Sequence, residues 1–220
     1  MIYAGFNILL RKDLRHGALR PETESEKLAS CTCNAQFADP NCHEWLAHSN
    51  KEGFSRGAET NTKSYHCQRT AHAFLGIHQS PASAEILSSF NKWVPRAPPS
   101  NYKPIPIIHS LTSDASVEHA TSSLDEFLNM ADATKRKTPM LWIGPTAAGH
   151  IEIKGRKGNQ EIWEFASKMA RIANEKDVET LGLWNLTVQA DSYDGKGFGE
   201  SVSIVTAMMV VNWLSRLESS

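Results

Sequence analysis

The chain has 220 residues, enough to bury roughly 70% of its unfolded surface in one compact core, so folding requires no metal or disulfide staple. Apolar residues make up 40% of it, and Lys plus Arg (23) against Asp plus Glu (24) leave a net charge of −1, which excludes a disordered or highly charged chain. The basic run Lys135-Arg136-Lys137 is too short for a nucleic-acid footprint, and nucleic acid is excluded as a partner.

The opening segment, Met1 to Leu10, is apolar, but no positive residue precedes it and no small-residue cleavage site follows, so it makes a poor signal peptide. It is expected to be a first strand, or the start of a chain whose upstream part is missing. Residues 1 to 70 show no sustained period and read as an irregular Cys/His-rich region. Four cysteines, Cys31, Cys33, Cys42 and Cys67, fall in this first third, and an even number in a loop-rich region fits two disulfides with three possible pairings. Disulfides imply an oxidising compartment, the Golgi or the extracellular space. Zinc held by Cys31, Cys33, Cys42, His43, His66 and Cys67 is the alternative, though the usual two-residue spacer is missing. Reduced thiols, with a cytoplasmic location, are a third.

From residue 71 the pattern changes. Ala71 to His78 reads as a short apolar strand, and Ser80-Pro81 as the N-cap and first turn of a helix whose Ile86, Leu87, Phe90, Trp93 and Val94 share a face. After the proline-rich linker Pro95 to Pro106, Ile105 to His109 reads as a second buried strand. A helix from about Ser116 follows, carrying Leu124, Phe127, Leu128 and Ala131. Met140 to Gly144 is a third strand and Pro145 to Gly158 a glycine-rich loop. Asn159 to Lys176 is an amphipathic helix with Ile162, Phe165, Ala166, Met169 and Ala173 inward. Thr180 to Leu186 is a fourth strand, at whose end Asn185-Leu186-Thr187 matches the N-glycosylation acceptor pattern. The loop Thr187 to Gly199 leads to a last helix reaching Leu217, apolar over most of its circumference and so expected to be buried between sheet and helices. A strand is the alternative for Val202 to Val205. The longest uncharged apolar stretch, Ser201 to Ser215, contains Asn212 and falls short of the roughly 18 to 20 residues that span a bilayer.

Successive strand-helix units demand right-handed crossovers and a parallel sheet flanked by helices. The expected fold class is therefore α/β, a three-layer, flavodoxin-like domain over residues 71–220. In such a sheet the loops at the carboxyl ends of the strands share one rim, where ligands bind. His78, His109, His150, Asp191 and Asp194 all fall at strand ends on that scheme. Imidazoles and carboxylates around a cleft suit acid-base catalysis or a metal site. Taken singly, His109, in a proline-flanked apolar strand, reads as a hydrogen-bonded core histidine.

Asp194-Gly195-Lys196-Gly197-Phe198-Gly199 resembles the Asp-Gly-x-His-Tyr-Gly block of the SGNH (GDSL-type) hydrolase family, and Gly76-Ile77-His78-Gln79 sits where that family has Gly-x-Asn-Asp. The order of elements from about His72 to Leu217 is similar to that family as well, in particular to its fungal, glycan-modifying branch of the secretory pathway. The resemblance implies an ester hydrolase or O-acetyltransferase of carbohydrates, with acylated carbohydrate as partner and no cofactor. It places Asp194 on the family's catalytic Asp and His78 on its oxyanion Asn, where an imidazole N–H can still donate. Gly76, Gly149 and Asp191 would line the substrate.

Two departures bear on activity. Gly197 stands where the family's base His belongs, and no Gly-Asp-Ser nucleophile segment occurs near the start. A serine hydroxyl needs a base to take its proton. The expectation is therefore a catalytically impaired or truncated member, in which His150 takes the role of the base with Asp194 or Asp191 orienting it. The competing expectation is a non-catalytic glycan- or protein-binding module of the same fold, using aromatics such as Trp45, Tyr102, Trp163 or Tyr193. A third reading makes His78, His109, His150 and Asp194 metal ligands.

Overall fold

The structure, a computed structural model, describes residues 2–47, 75–77, 80–96, 104–111, 114–150, 156–190, 192, 195 and 198–218. In chain order the elements are α1 (Ile2–Arg11), α2 (Ser25–Ser30), α3 (Ala35–Ala38), α4 (Pro40–His43), α5 (Ala84–Trp93), β1 (Ile107–Ser110), α6 (Val117–Ala133), β2 (Met140–Ile143), α7 (Asn159–Glu175), β3 (Glu179–Leu181), α8 (Trp184–Val188) and α9 (Glu200–Glu218). They form a mixed α/β chain of two compact units, Met1–Phe74 with Ala190–Ser220, and Leu75–Gln189.

In the first unit, Ile2–Arg11 is a helix and not the expected strand. Ala4 and Ile8, one turn apart, are buried with Ala18 and Phe37, and β-branched residues are too sparse in the segment to favour extended backbone. This helix packs on α9. Gly5 sits at the crossing: a Cβ there would lie 2.2 Å from the carbonyl oxygen of Ser203 and 3.2 Å from the Cβ of Ala207. Gly5→Ala gains about 1 kcal/mol of helix propensity, but the atom it strikes is backbone and cannot rotate away, and overpacking costs about 1–3 kcal/mol. A net loss of up to about 2 kcal/mol is expected in urea denaturation; a stabilised variant would show that the two helices can separate freely.

The start of α9 is capped from far back in the chain, since the Glu200 N–H donates to Asn34 Oδ1 at 2.8 Å. Gly199 leaves room for that contact, because a Cβ there would stand 2.5 Å from the same oxygen. The α9 segment is helical throughout, which settles Val202 to Val205 against a strand. Its expected all-round burial is not found. Thr206, Ala207, Val210 and Trp213 are buried, whereas Val205, Met208, Met209 and Val211 are exposed.

Between α1 and α9 in sequence, the short helices are held by a side-chain clamp and a crosslink. The buried Gln36 accepts from the Ala18 N–H at 3.0 Å and donates to the carbonyls of Leu14 (3.0 Å) and Arg15 (3.2 Å), so its burial leaves no polar atom unpaired. Cys31 and Cys42 form a disulfide, and both are buried. That pairing removes two of the thiolates on which a zinc site would draw. Cys33 is exposed and unpaired, so the second disulfide expected from the even count is not formed there; His66 and Cys67 lie outside the described residues.

The second unit is organised by a three-stranded parallel sheet of order β1-β2-β3. Its strands are the expected second, third and fourth. Right-handed crossovers that always step in one direction put their helices on one face, and α6 and α7 do pack together there. The register pairs Ile107 with Met140 and His109 with Trp142. Because side chains alternate along a strand, these four face the helices, and Met140 and Trp142 join Phe90, Leu124, Phe127, Phe165 and Met169 in the main core. The expected first strand is not found in its described part: Leu75, Gly76 and Ile77 form no strand, though Leu75 and Ile77 pack on this core. The helix after it starts at Ala84, capped by Ser83, three residues later than expected. Ser80 is engaged elsewhere, its hydroxyl donating to Glu126 at 3.0 Å.

The fourth expected strand, Thr180 to Leu186, ends at Leu181. Gly182 breaks it and the chain turns into α8. There the Thr187 hydroxyl donates back to the Leu183 carbonyl at 2.7 Å, a local bond that competes with strand pairing. Among the described residues no helix is long and apolar enough to cross a membrane.

Candidate functional site

The carboxyl edge of β2 carries the loop Gly144 to His150, the part of the expected rim that the structure describes most fully. Three bonds set its path. The Gly144 N–H donates to the Leu181 carbonyl at 2.9 Å, carrying the ladder one residue beyond β2. The Ala147 N–H donates to Thr187 Oγ1 at 2.8 Å, and the Ala148 N–H to Asn159 Oδ1 at 2.9 Å. The loop is thus pinned to α8 on one side and to the first residue of α7 on the other. Gly149 follows, half-buried, and His150 is exposed at its end. An imidazole on such a loop can offer a ring nitrogen to an external ligand.

The Thr187 hydroxyl that holds this loop belongs to the expected glycosylation pattern. It is buried and engaged through both its donor and its acceptor capacity, while Asn185 is exposed. The pattern lies on helix α8 and not at a strand end.

Of the other expected site residues, Gly76 is half-buried between Leu75 and Ile77. His78, Asp191 and Asp194 lie outside the described residues, as do Gly197, Tyr102 and Tyr193. Trp163, on α7, is 51% exposed. Trp45 is half-buried, with the Arg20 guanidinium 5.6 Å from its ring centre, a packing role and not a ligand platform.

His109 is placed as its proline-flanked apolar strand foretold. It is 3% exposed, its Nε2 lies 3.1 Å from Ser123 Oγ, and its ring is 5.7 Å from that of Phe127. Burial pushes its pKa down from the ordinary value to about 4, which keeps the ring neutral near pH 7. The Ser–His spacing is that of a nucleophile and base, but Ser123 is 1% exposed, so no substrate reaches it and the pair is structural. Ser123 was missed by sequence reasoning, yet a signal was present: it falls on the α6 stripe of Ala120, Leu124, Phe127 and Ala131, where a polar residue must find a partner. Among the described residues no group of three or more His, Cys, Asp or Glu is placed to hold a metal.

A shallow groove of about 640 Å³ is lined by Ser80, Ser122, Asp125, Glu126, Asn129 and Met130. Its carboxylates are already used. Glu126 accepts from the Ser80 hydroxyl and, at 2.7 Å, from the Ala82 N–H, and Asp125 pairs with Lys176 at 2.7 Å. Both interactions hold the segment before α5, or the end of α7, against α6.

Comparison with known protein families, with curated proteins and with solved structures finds no match to this chain.

Proposed function

We propose that this chain is an SGNH-type relative of the carbohydrate O-acyl esterases and acetyltransferases, with impaired hydrolytic chemistry, that binds acylated carbohydrate at the carboxyl edge of its parallel sheet. The observation that carries the reading is the pinned loop Gly144 to His150, which sets an exposed imidazole at the end of the central strand of a parallel α/β sheet. The carboxyl ends of the strands are the side on which open α/β sheets bind ligands. In this reading the three strands belong to a larger, flavodoxin-like three-layer sheet.

Gly197 in the place of a catalytic His argues for weak turnover, with His150 as the remaining base. The buried Cys31–Cys42 disulfide favours an oxidising compartment, since such bonds persist in the secretory pathway. A second reading, binding without any chemistry, is favoured by the exposed Trp163, because indole rings suit the apolar faces of sugars.

An array of O-acetylated glycans beside their de-acetylated forms tests the proposal, together with p-nitrophenyl acetate hydrolysis. Selective retention of the acetylated forms is expected. Residual hydrolysis should fall by about 100-fold or more in His150→Ala, the lower end of what a positioned general base contributes. An unchanged rate would remove His150 from that role, and retention without hydrolysis that is lost in Trp163→Ala would favour the second reading. The absence of both selective retention and hydrolysis would end the proposal.

A further inference from the structure

Among the described residues, His109 is the one ionisable side chain that is buried. Its two ring nitrogens differ in what they meet. Ser123 Oγ stands against Nε2, and a hydroxyl can donate or accept, so this contact survives either charge state of the ring. Nδ1 is buried with no hydrogen-bond partner. Its register neighbour Trp142 has a buried, unpartnered indole N–H, which is a donor and offers a protonated Nδ1 nothing to bond to.

Among the described residues no carboxylate compensates. The strand β2 has no ionisable residue. On α6, Glu118, His119 and Asp132 are exposed, Asp125 is paired with Lys176, and Glu126 is held by Ser80 and Ala82. On α5, whose Phe90 stacks edge-on against Phe127, Glu85 and Lys92 are exposed. On α7, Glu161, Glu164, Lys168, Arg171 and Glu175 are exposed. An imidazolium in this place would be a buried, unpaired charge, which a folded core does not tolerate.

The ring also sits on an edge of the sheet. Among the described residues strand β1 is at the edge and pairs with β2 alone, over four residues, and its outward Ile108 is 41% exposed. Releasing it disturbs less structure than unfolding the unit, and proteins open in such local pieces. We propose that His109 makes β1 an acid-released edge strand: on protonation the ring leaves its place against Ser123 and Phe127 and takes β1 off β2, while β2, β3 and α7 stay folded.

The direction in pH follows from linkage. The ring binds its proton less readily when buried than when released, so the closed arrangement is favoured above the ordinary histidine value and progressively lost as the pH falls from about 6.5 toward 4. Between pH 7 and pH 5 this corresponds to a rise of about 20-fold in the opening of β1. The experiment is amide hydrogen exchange at the two pH values, corrected for intrinsic rates. It reads Ile105 and Ile107, whose N–H groups donate to the Lys137 and Pro139 carbonyls, against amides of α7.

In the intact protein the protection of Ile105 and Ile107 should fall about 20-fold while that of α7 is unchanged, and the fall should vanish in His109→Gln. An equal fall in His109→Gln, no fall in the intact protein, or a uniform fall across residues 75–189 would each overturn the proposal. Should His109→Gln fail to fold, the intact protein decides by NMR. The loss of protection must then track the titration of the His109 ring; tracking that of His119 instead would overturn it.

Discussion

Trp142→Ala is expected to cost the sheet unit about 3–5 kcal/mol, the range for emptying a large aromatic site in a core. Trp142 is 1% exposed on the central strand, and it packs in one cluster with Phe127, Phe165 and Met169 from two helices. Neither helix can collapse into the space while the other is held by its crossover to the sheet, so most of the cavity persists. Trp142→Phe should cost far less, about 1 kcal/mol. It still removes volume, but it also deletes a buried indole N–H without a hydrogen-bond partner, and an unsatisfied buried donor carries a penalty of about 1–3 kcal/mol. Urea unfolding followed by far-ultraviolet circular dichroism separates the two. If Phe proves as damaging as Ala, the indole N–H is satisfied in solution and the core is more polar around β2 than the packing indicates.

Removal of the Cys31–Cys42 crosslink is the second large effect. The bond closes a loop with a sequence separation of 11, for which loop-closure entropy in the unfolded chain predicts about 3 kcal/mol of stabilisation. Cys42→Ala should lower the stability of the first unit by about that amount and unmask Cys31 to alkylation. Cys33→Ser should change almost nothing, because the Cys33 side chain is exposed and unpaired. The comparison is made by denaturation under non-reducing conditions, with iodoacetamide labelling of the native protein: label on Cys33 and none on Cys31 or Cys42 is the expected pattern. Equal stability of Cys42→Ala and the parent chain would mean that packing around Leu19 and Leu28, and not the crosslink, holds this lobe.

The β1-α6-β2-α7-β3 succession was readable in the sequence because each of its elements has a strong period and clear punctuation. Ser116 caps α6 by accepting from the His119 N–H, and the helix stripes at Leu124 and Phe127 and at Phe165 and Met169 are those that the core uses. Reading failed where local preference and tertiary context diverge. Met1 to Leu10 has the apolar content of a strand, but its partner is a helix that it approaches closely at Gly5, and no local rule reveals a partner about 200 residues away. The second half of the expected fourth strand became α8 because Thr187 satisfies two backbone groups there, one of them from the β2 loop.

The candidate site divides in the same way. That His150 follows the central strand on a glycine-bearing loop is a matter of order along the chain and was legible. That Thr187 and Asn159 fix that loop depends on residues up to 40 positions away. Likewise His109 was recognisable as a core histidine from its apolar, proline-flanked surroundings, whereas its pairing with Ser123 depends on which turn of α6 crosses β1.

Periodicity and punctuation alone thus determined the parallel strand-helix succession and the buried stripes, because both arise from neighbours a few residues apart. Only the tertiary structure decided that α1 is a helix against α9, that Cys31 takes Cys42, and that His109 keeps one nitrogen unpartnered. Each of those depends on contacts between distant segments, whose free energy outweighs the small local preferences from which a sequence is read.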